Sequence, residues 1–171
     1  MKDVIIRPER CMSCHSCEVA CAVAHSQSKT LFSAIGEDPI PRKRISVEFL
    51  PALGASMPIT CRHCKDAPCV SVCPTKALSQ DTNTGTVIRN LERCVDCWTC
   101  STVCTRFSSL YQLILATGCW NSSMLCNHKI IDSRTENGTA MKCDLCEGRE
   151  LPACVEACPT HALVFAEVEG R

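Results

Sequence analysis

Aromatic side chains are scarce. Four phenylalanines, two tryptophans and one tyrosine make up 4% of the 171 residues, too few large rings to fill an interior by themselves. No excess of charge exists either, with 18 Lys+Arg against 18 Asp+Glu. A neutral chain lacks the basic surplus of a nucleic-acid binder, so no nucleic-acid partner is expected. Long hydrophobic runs are also missing. Val4-Ile5-Ile6 is the only apolar run near the N-terminus, too short for a signal-peptide core. The stretch 107–127 carries no formal charge, yet Ser108, Ser109, Gln112, Thr117, Asn121, Ser122, Ser123 and Asn127 interrupt it. It falls short of the roughly 20 predominantly apolar residues a membrane span needs. The expectation is a cytoplasmic chain without a transmembrane segment. Phosphate-binding glycine loops, dinucleotide fingerprints and zincin helices are absent too.

Cysteine is abundant: 18 residues, about a tenth of the chain. Sixteen fall into four sets, each ending in an x3 gap. They are Cys11, Cys14, Cys17, Cys21; Cys61, Cys64, Cys69, Cys73; Cys94, Cys97, Cys100, Cys104; and Cys143, Cys146, Cys154, Cys158. The first and third read C-x2-C-x2-C-x3-C, and the second and fourth widen the middle gap to four and seven residues. Disulfides are disfavoured in a reducing compartment. Zinc binds paired C-x2-C knuckles, but has no use for a third and a fourth cysteine at these steps, four times over. Iron–sulfur cubanes do. Three closely spaced thiolates hold one cluster, and the cysteine after x3 ligates the other member of a pair. Four sets therefore point to four [4Fe–4S] clusters, with a zinc-stabilised interaction module as the competing reading. His63 and His15 lie inside complete cysteine sets, so both are expected to support the site or face solvent rather than ligate.

The stretches HCKDAPCVSVCPTKAL (63–78), KCDLCEGRELPACVEACPTHAL (142–163) and ERCMSCHSCEVACAVAHSQSK (9–29) resemble the four-cluster ferredoxin-like subunits of prokaryotic oxidoreductases. The last of these, with PRKRISVE (41–48), is most similar to the iron–sulfur protein that serves carbon monoxide dehydrogenase. Related subunits serve hydrogenases, formate dehydrogenases and molybdopterin enzymes. The resemblance implies an α+β, loop-rich fold of two ferredoxin-like lobes, one inserted in the other. Residues 1–57 and 140–171 form the outer lobe, 58–107 the inner lobe and 108–139 an insert. It also implies the ligand pairing: Cys11, Cys14, Cys17 with Cys158; Cys143, Cys146, Cys154 with Cys21; Cys61, Cys64, Cys69 with Cys104; and Cys94, Cys97, Cys100 with Cys73.

The expected function is a relay of single electrons rather than catalysis, because a fully ligated cluster has no open iron position. The implied partner is a catalytic oxidoreductase, carbon monoxide dehydrogenase by resemblance, with a membrane-bound hydrogenase as a natural recipient. A formate dehydrogenase or molybdopterin oxidoreductase is the alternative. Each oxidised site carries about 2−, so four clusters turn a neutral chain into one of about −8. Arg62, Lys65, Arg106 and Lys142 lie near the cysteines in sequence and are placed to offset that charge. The default for any one of them, and for the Arg42-Lys43-Arg44 run, is a solvated side chain.

Four strands are expected: Arg44 to Phe49, the two arms of a hairpin at Ala77-Leu78 and Thr86-Val87-Ile88 about the turn 81–85, and Ala162 to Phe165. Phe107, Leu110, Tyr111, Ile114 and Leu115 recur at helical spacing before Gly118, which predicts a short amphipathic helix. Cys119 and Cys126 are read as free thiols. Cys73 and Cys158 are followed by proline, whereas Cys21 and Cys104 are followed by Ala22 and Thr105. Those two residues keep an N–H that proline lacks, a possible donor to cluster sulfur.

Overall fold

The computed structural model describes residues 2–50, 54–104 and 142–168. Thr105, Arg106, the helix expected after Phe107, Cys119 and Cys126 lie outside the described residues. The chain divides into two compact units, Met1–Arg62 with Cys143–Gly170, and His63–Lys142. Both are small two-stranded sheets and short helices joined by cysteine-bearing loops, a mixed α+β construction.

In the first unit, β1 (Lys2–Ile6) pairs antiparallel with β6 (Leu163–Glu167), with Val4 opposite Phe165 and Ile6 opposite Leu163. Helix α1 (Ser16–Ala24) follows the first cysteine loop and packs against α5 (Ala153–Glu156). The core joins Val4, Ile45, Val155 and Leu163 to Cys17, Cys21 and Cys154. Thiols stand where an ordinary small domain would place aromatic rings. A second ribbon joins β2 (Ser46–Leu50) to β3 (Ala55–Ile59), with Val47 opposite Pro58. Proline donates no ladder hydrogen bond and is confined to edges, which a two-stranded ribbon supplies. Helix α2 (Leu31–Ile35) is a single short turn pair with Phe32 and Ile35 exposed.

The second unit repeats the plan with other segments. Its sheet pairs β4 (Leu78–Gln80) with β5 (Val87–Arg89). The turn is set locally: the Asp81 carboxylate accepts from Asn83 N–H at 2.9 Å and Thr84 Oγ1–H at 2.6 Å, and Gly85 takes φ 70°. Glycine adopts that left-handed geometry without a Cβ clash. Helices α3 (Pro68–Ser71) and α4 (Thr99–Thr102) pack together. The core here is Ala67, Cys69, Leu78 and Val87, with Cys73 and Cys100 against it.

The correspondence reaches single bonds. In each unit the strand before a narrow-gap set pairs with the strand after a Cys-Pro turn. Arg7 N–H donates to Ala162 O at 2.8 Å, and Asn90 N–H donates to Ala77 O at 2.8 Å. Cys11 N–H reaches Pro8 O, as Cys94 N–H reaches Leu91 O. The sequences Pro8-Glu9-Arg10-Cys11 and Leu91-Glu92-Arg93-Cys94 thus enter their loops alike.

Candidate metal centres

Ten non-glycine residues among those described have positive φ, and seven sit in the cysteine loops. Ser13 and His15 in the first set match Asp96 and Trp98 in the third. His63 turns the second loop, and Leu145 and Cys146 turn the fourth. Each such residue costs about 1–3 kcal/mol, and persists only where surrounding structure demands it. Alternating left- and right-handed residues turn successive N–H groups toward one concavity, a nest suited to anionic sulfur. Sulfur acceptors are indeed engaged: Arg44 N–H reaches Cys21 Sγ at 3.2 Å, Leu145 N–H reaches Cys143 Sγ at 3.4 Å, and Ala162 N–H reaches Cys158 Sγ at 3.2 Å.

The thiols are gathered across sequence. In the first unit, burial pushes the Cys154 thiol far up, and the nearby Cys143, Cys21, Cys146 and Cys17 push it further. Burial likewise raises Cys143 to about 12, aided by Cys61 and Cys21 despite the Leu145 N–H and Thr60 hydroxyl. Cys17 and Cys21, from the first set, share one core with Cys154 of the fourth. Cys17 is raised to about 12 by burial, by Glu18, and by Cys158 and Cys14, and Cys158 packs against the same core. In the second unit, Cys94, Cys97 and Cys100 line one small cavity with Cys73. Cys61 lies in the first unit, and Cys64, Cys69 and Cys104 lie in the second.

Buried thiols at these pKa values hold their protons unless a metal displaces them, and metal binding and proton release are coupled. The donor set therefore suits iron–sulfur clusters: thiols in groups, with backbone N–H donors directed at the sulfurs of Cys21, Cys143 and Cys158. Among the described residues the sixteen patterned cysteines form no disulfide.

Arg44 and Lys142, expected to be solvated, are not, and His63 takes the supporting role of its two expected ones. His63 has no exposed surface, and its Nδ1 accepts from Val87 N–H at 2.9 Å. It braces the second cysteine loop against β5. Arg44 is largely buried and paired with Asp144, while Lys43 meets Glu18 at 2.6 Å. Lys142 is 7% exposed, and its ammonium donates to Cys69 Sγ at 3.0 Å. Arg62 and Lys65 are exposed. Local hydrophobic pattern carries no trace of these burials, because each is set by a partner far off in sequence.

A polar group that spacing did not reveal adjoins Cys21. The Asp144 carboxylate accepts from Cys146 N–H at 3.0 Å, from His25 Nε2 at 3.0 Å and from Arg44. Burial opposes its charge, but His25 and Arg44 hold its carboxyl well below the usual carboxylate range. Burial alone would lower His25. The Asp144 carboxylate and Cys21 outweigh it and raise the imidazole to about 9. His25 Nδ1 meanwhile contacts Cys21 O at 2.6 Å and lies 3.7 Å from Cys21 Sγ.

Comparison with known proteins gives the same chemistry. The family model described as "4Fe-4S dicluster domain" matches residues 54–112. The chain is 35% identical to the "Iron-sulfur protein" of Rhodospirillum rubrum, over 99% of this chain and 85% of that one. It is 36% identical to the "Electron transport protein HydN" of Escherichia coli K12, over 96% of this chain and 87% of the relative. It is 34% identical to the "Aliphatic sulfonate oxidoreductase, polyferredoxin-like subunit" of Pyrococcus furiosus, over 91% and 70%.

Proposed function

Because the chain belongs to the family of iron–sulfur electron-transport proteins, we propose that it is a non-catalytic electron-transfer subunit relaying single electrons through four [4Fe–4S] clusters. The ligand sets are Cys11, Cys14, Cys17 and Cys158; Cys143, Cys146, Cys154 and Cys21; Cys61, Cys64, Cys69 and Cys104; and Cys94, Cys97, Cys100 and Cys73. The observation that supports this reading is that thiols of two sets, Cys17 and Cys21 of the first and Cys154 and Cys158 of the fourth, gather at one core in the first unit. Structural zinc needs no such gathering of two sets, since each set already offers four thiols.

When bound, the clusters supply one-electron redox chemistry with no bond made to substrate. The chain's residues supply the rest. Val4, Val155, Leu163 and Phe165 screen the first unit's thiols from water, and Ala67, Leu78 and Val87 do so in the second. Backbone N–H groups orient the sulfurs and offset their charge. Burial, hydrogen bonds and nearby charge then set each potential.

The expected partner is a catalytic oxidoreductase subunit, of carbon monoxide dehydrogenase, hydrogenase or formate dehydrogenase type, with the acceptor a second redox enzyme. No helix among the described residues is long and apolar enough to cross a membrane, which accords with recruitment through a partner.

Anaerobic purification with iron and sulfide analysis tests the reading. About sixteen of each per chain supports it, and about four zinc atoms without iron rejects it. Identification of the co-eluting redox enzyme fixes the partner type.

A further inference from the structure

Lys142 is the residue the relay does not explain. A lysine side chain is rarely buried, and an ammonium removed from water costs several kcal/mol unless a partner of opposite charge meets it. Lys142 is 7% exposed and points its Nζ at Cys69 Sγ, 3.0 Å away and 73 positions earlier in the chain. Cys69 is itself buried, on α3 beside Ala67, Leu78 and Val87. Lys142 also bears on a second thiol. Burial raises Cys100, and the Lys142 charge opposes that rise. The two cysteines fall in different proposed ligand sets, with Cys69 the one in direct contact.

We propose that the Lys142 ammonium sets the reduction potential of the cluster that Cys69 ligates, raising it above that of an otherwise similar site. The inference rests on the reading of Cys69 as a cluster ligand. Reduction adds one electron, taken from the redox donor, and makes the site more negative by one charge. Protein bonds are unchanged and the lysine keeps its proton. A fixed positive charge at hydrogen-bond distance from a ligand sulfur stabilises the reduced state more than the oxidised one. Little water intervenes to screen it. Cys143, Cys158 and Cys97 receive backbone N–H groups or a hydroxyl, which carry no net charge, and the His25 imidazole stands farther from Cys21 Sγ, at 3.7 Å, than the Lys142 ammonium from Cys69 Sγ. Lys142 thus makes one station of the relay an electron sink. Through Cys100 it acts in the same sense, and more weakly, on the neighbouring centre. Lys142 is a positioning and tuning residue, not a catalytic one.

The test is an EPR-monitored redox titration of the anaerobic holoprotein and of Lys142→Met, Lys142→Gln and Lys142→Arg, with iron and sulfide measured on each. The Met variant keeps the length and loses the charge. The Gln variant keeps a donor alone, and the Arg variant keeps the charge. The expected result is full iron content, with one centre's reduced-to-oxidised ratio falling at least tenfold at fixed ambient potential in Lys142→Met. For one electron that is about 59 mV. Lys142→Gln shifts less, and Lys142→Arg stays near the unaltered protein. The centre that moves most must be the one whose signal is lost or altered in Cys69→Ser. Unmoved midpoints in fully loaded variants overturn the proposal. So does iron loss from all three variants, which makes Lys142 a structural residue, or a largest shift at a centre that Cys69→Ser leaves intact. An unaltered protein without iron sinks the cluster reading itself, a separate outcome from any of these.

Discussion

Asp144 holds together the polar group beside Cys21, and its replacement separates the contribution of charge from that of hydrogen bonding. Asp144→Asn leaves an amide oxygen for Cys146 N–H and His25 Nε2, but removes the negative charge that faces His25 and Arg44. The Cys146 and His25 bonds each lose an ionised acceptor, and the oxygen that Arg44 faces becomes an amide nitrogen, which cannot accept. A charged hydrogen bond is worth about 1.5–3 kcal/mol and a neutral one about 0.5–1.5, so the pair of downgrades costs about 2 kcal/mol. Asp144→Ala removes all three contacts next to largely buried Arg44 and His25, whose side chains are 16% and 12% exposed. Stranding buried charge costs about 3–5 kcal/mol. Asp144 is itself 30% exposed, which places the alanine effect at the lower end.

The assay is the rate at which anaerobic holoprotein releases iron to a chelator in fixed denaturant. If the contacts form late in folding, their whole loss appears in the opening rate. About 2 kcal/mol then accelerates release roughly 30-fold for Asn, and Ala is faster still. Equal rates for the three proteins, or an alanine variant no faster than the asparagine one, would refute the reasoning.

Leu163 is 1% exposed within the thiol-bearing core of the first unit. Leu163→Ala should cost about 2–5 kcal/mol, read as a lower denaturation midpoint, whereas exposed Leu91→Ala should cost far less. Iron removal by chelation should leave a largely unfolded chain, since Cys17, Cys21, Cys154 and Cys69 are core residues. Unchanged circular dichroism after chelation would contradict this. Glu37 is held below its ordinary value by the Ser28 side chain and the Ser28 and Gln27 N–H groups, at 2.7 and 3.0 Å in the backbone bonds. A depressed carboxylate contributes above its unfolded pKa of about 4.3 and stops contributing as pH falls through the folded value. Glu37→Gln should therefore speed hydrogen exchange at Gln27 and Ser28 at neutral pH, and the difference from the unaltered protein should vanish in acid.

Much of the local structure is legible in the residues. The Asp81–Gly85 turn places β4 and β5, alternation marks β2, and Leu163 to Phe165 marks the last strand. β1 escaped notice because Val4-Ile5-Ile6 is short and preceded by Asp3, a carboxylate that the fold buries at 1% exposure. β3 was hidden by Pro58, which reads against a strand until its edge position is known. Helix α2 is five residues long, below the length at which periodicity speaks.

The sequence by itself determined the chemistry. Ligand spacing is a local property: steps of two and three residues curl the chain around a single point, whatever the rest of the protein does. Tertiary structure alone decided who stands next to that point. Cys21 joins thiols more than 120 positions away, Asp144 draws in His25 and Arg44, and Lys142 crosses 73 positions to reach Cys69. Such meetings depend on closing long loops, and that closure is driven by the buried core as a whole rather than by any pattern in the residues concerned.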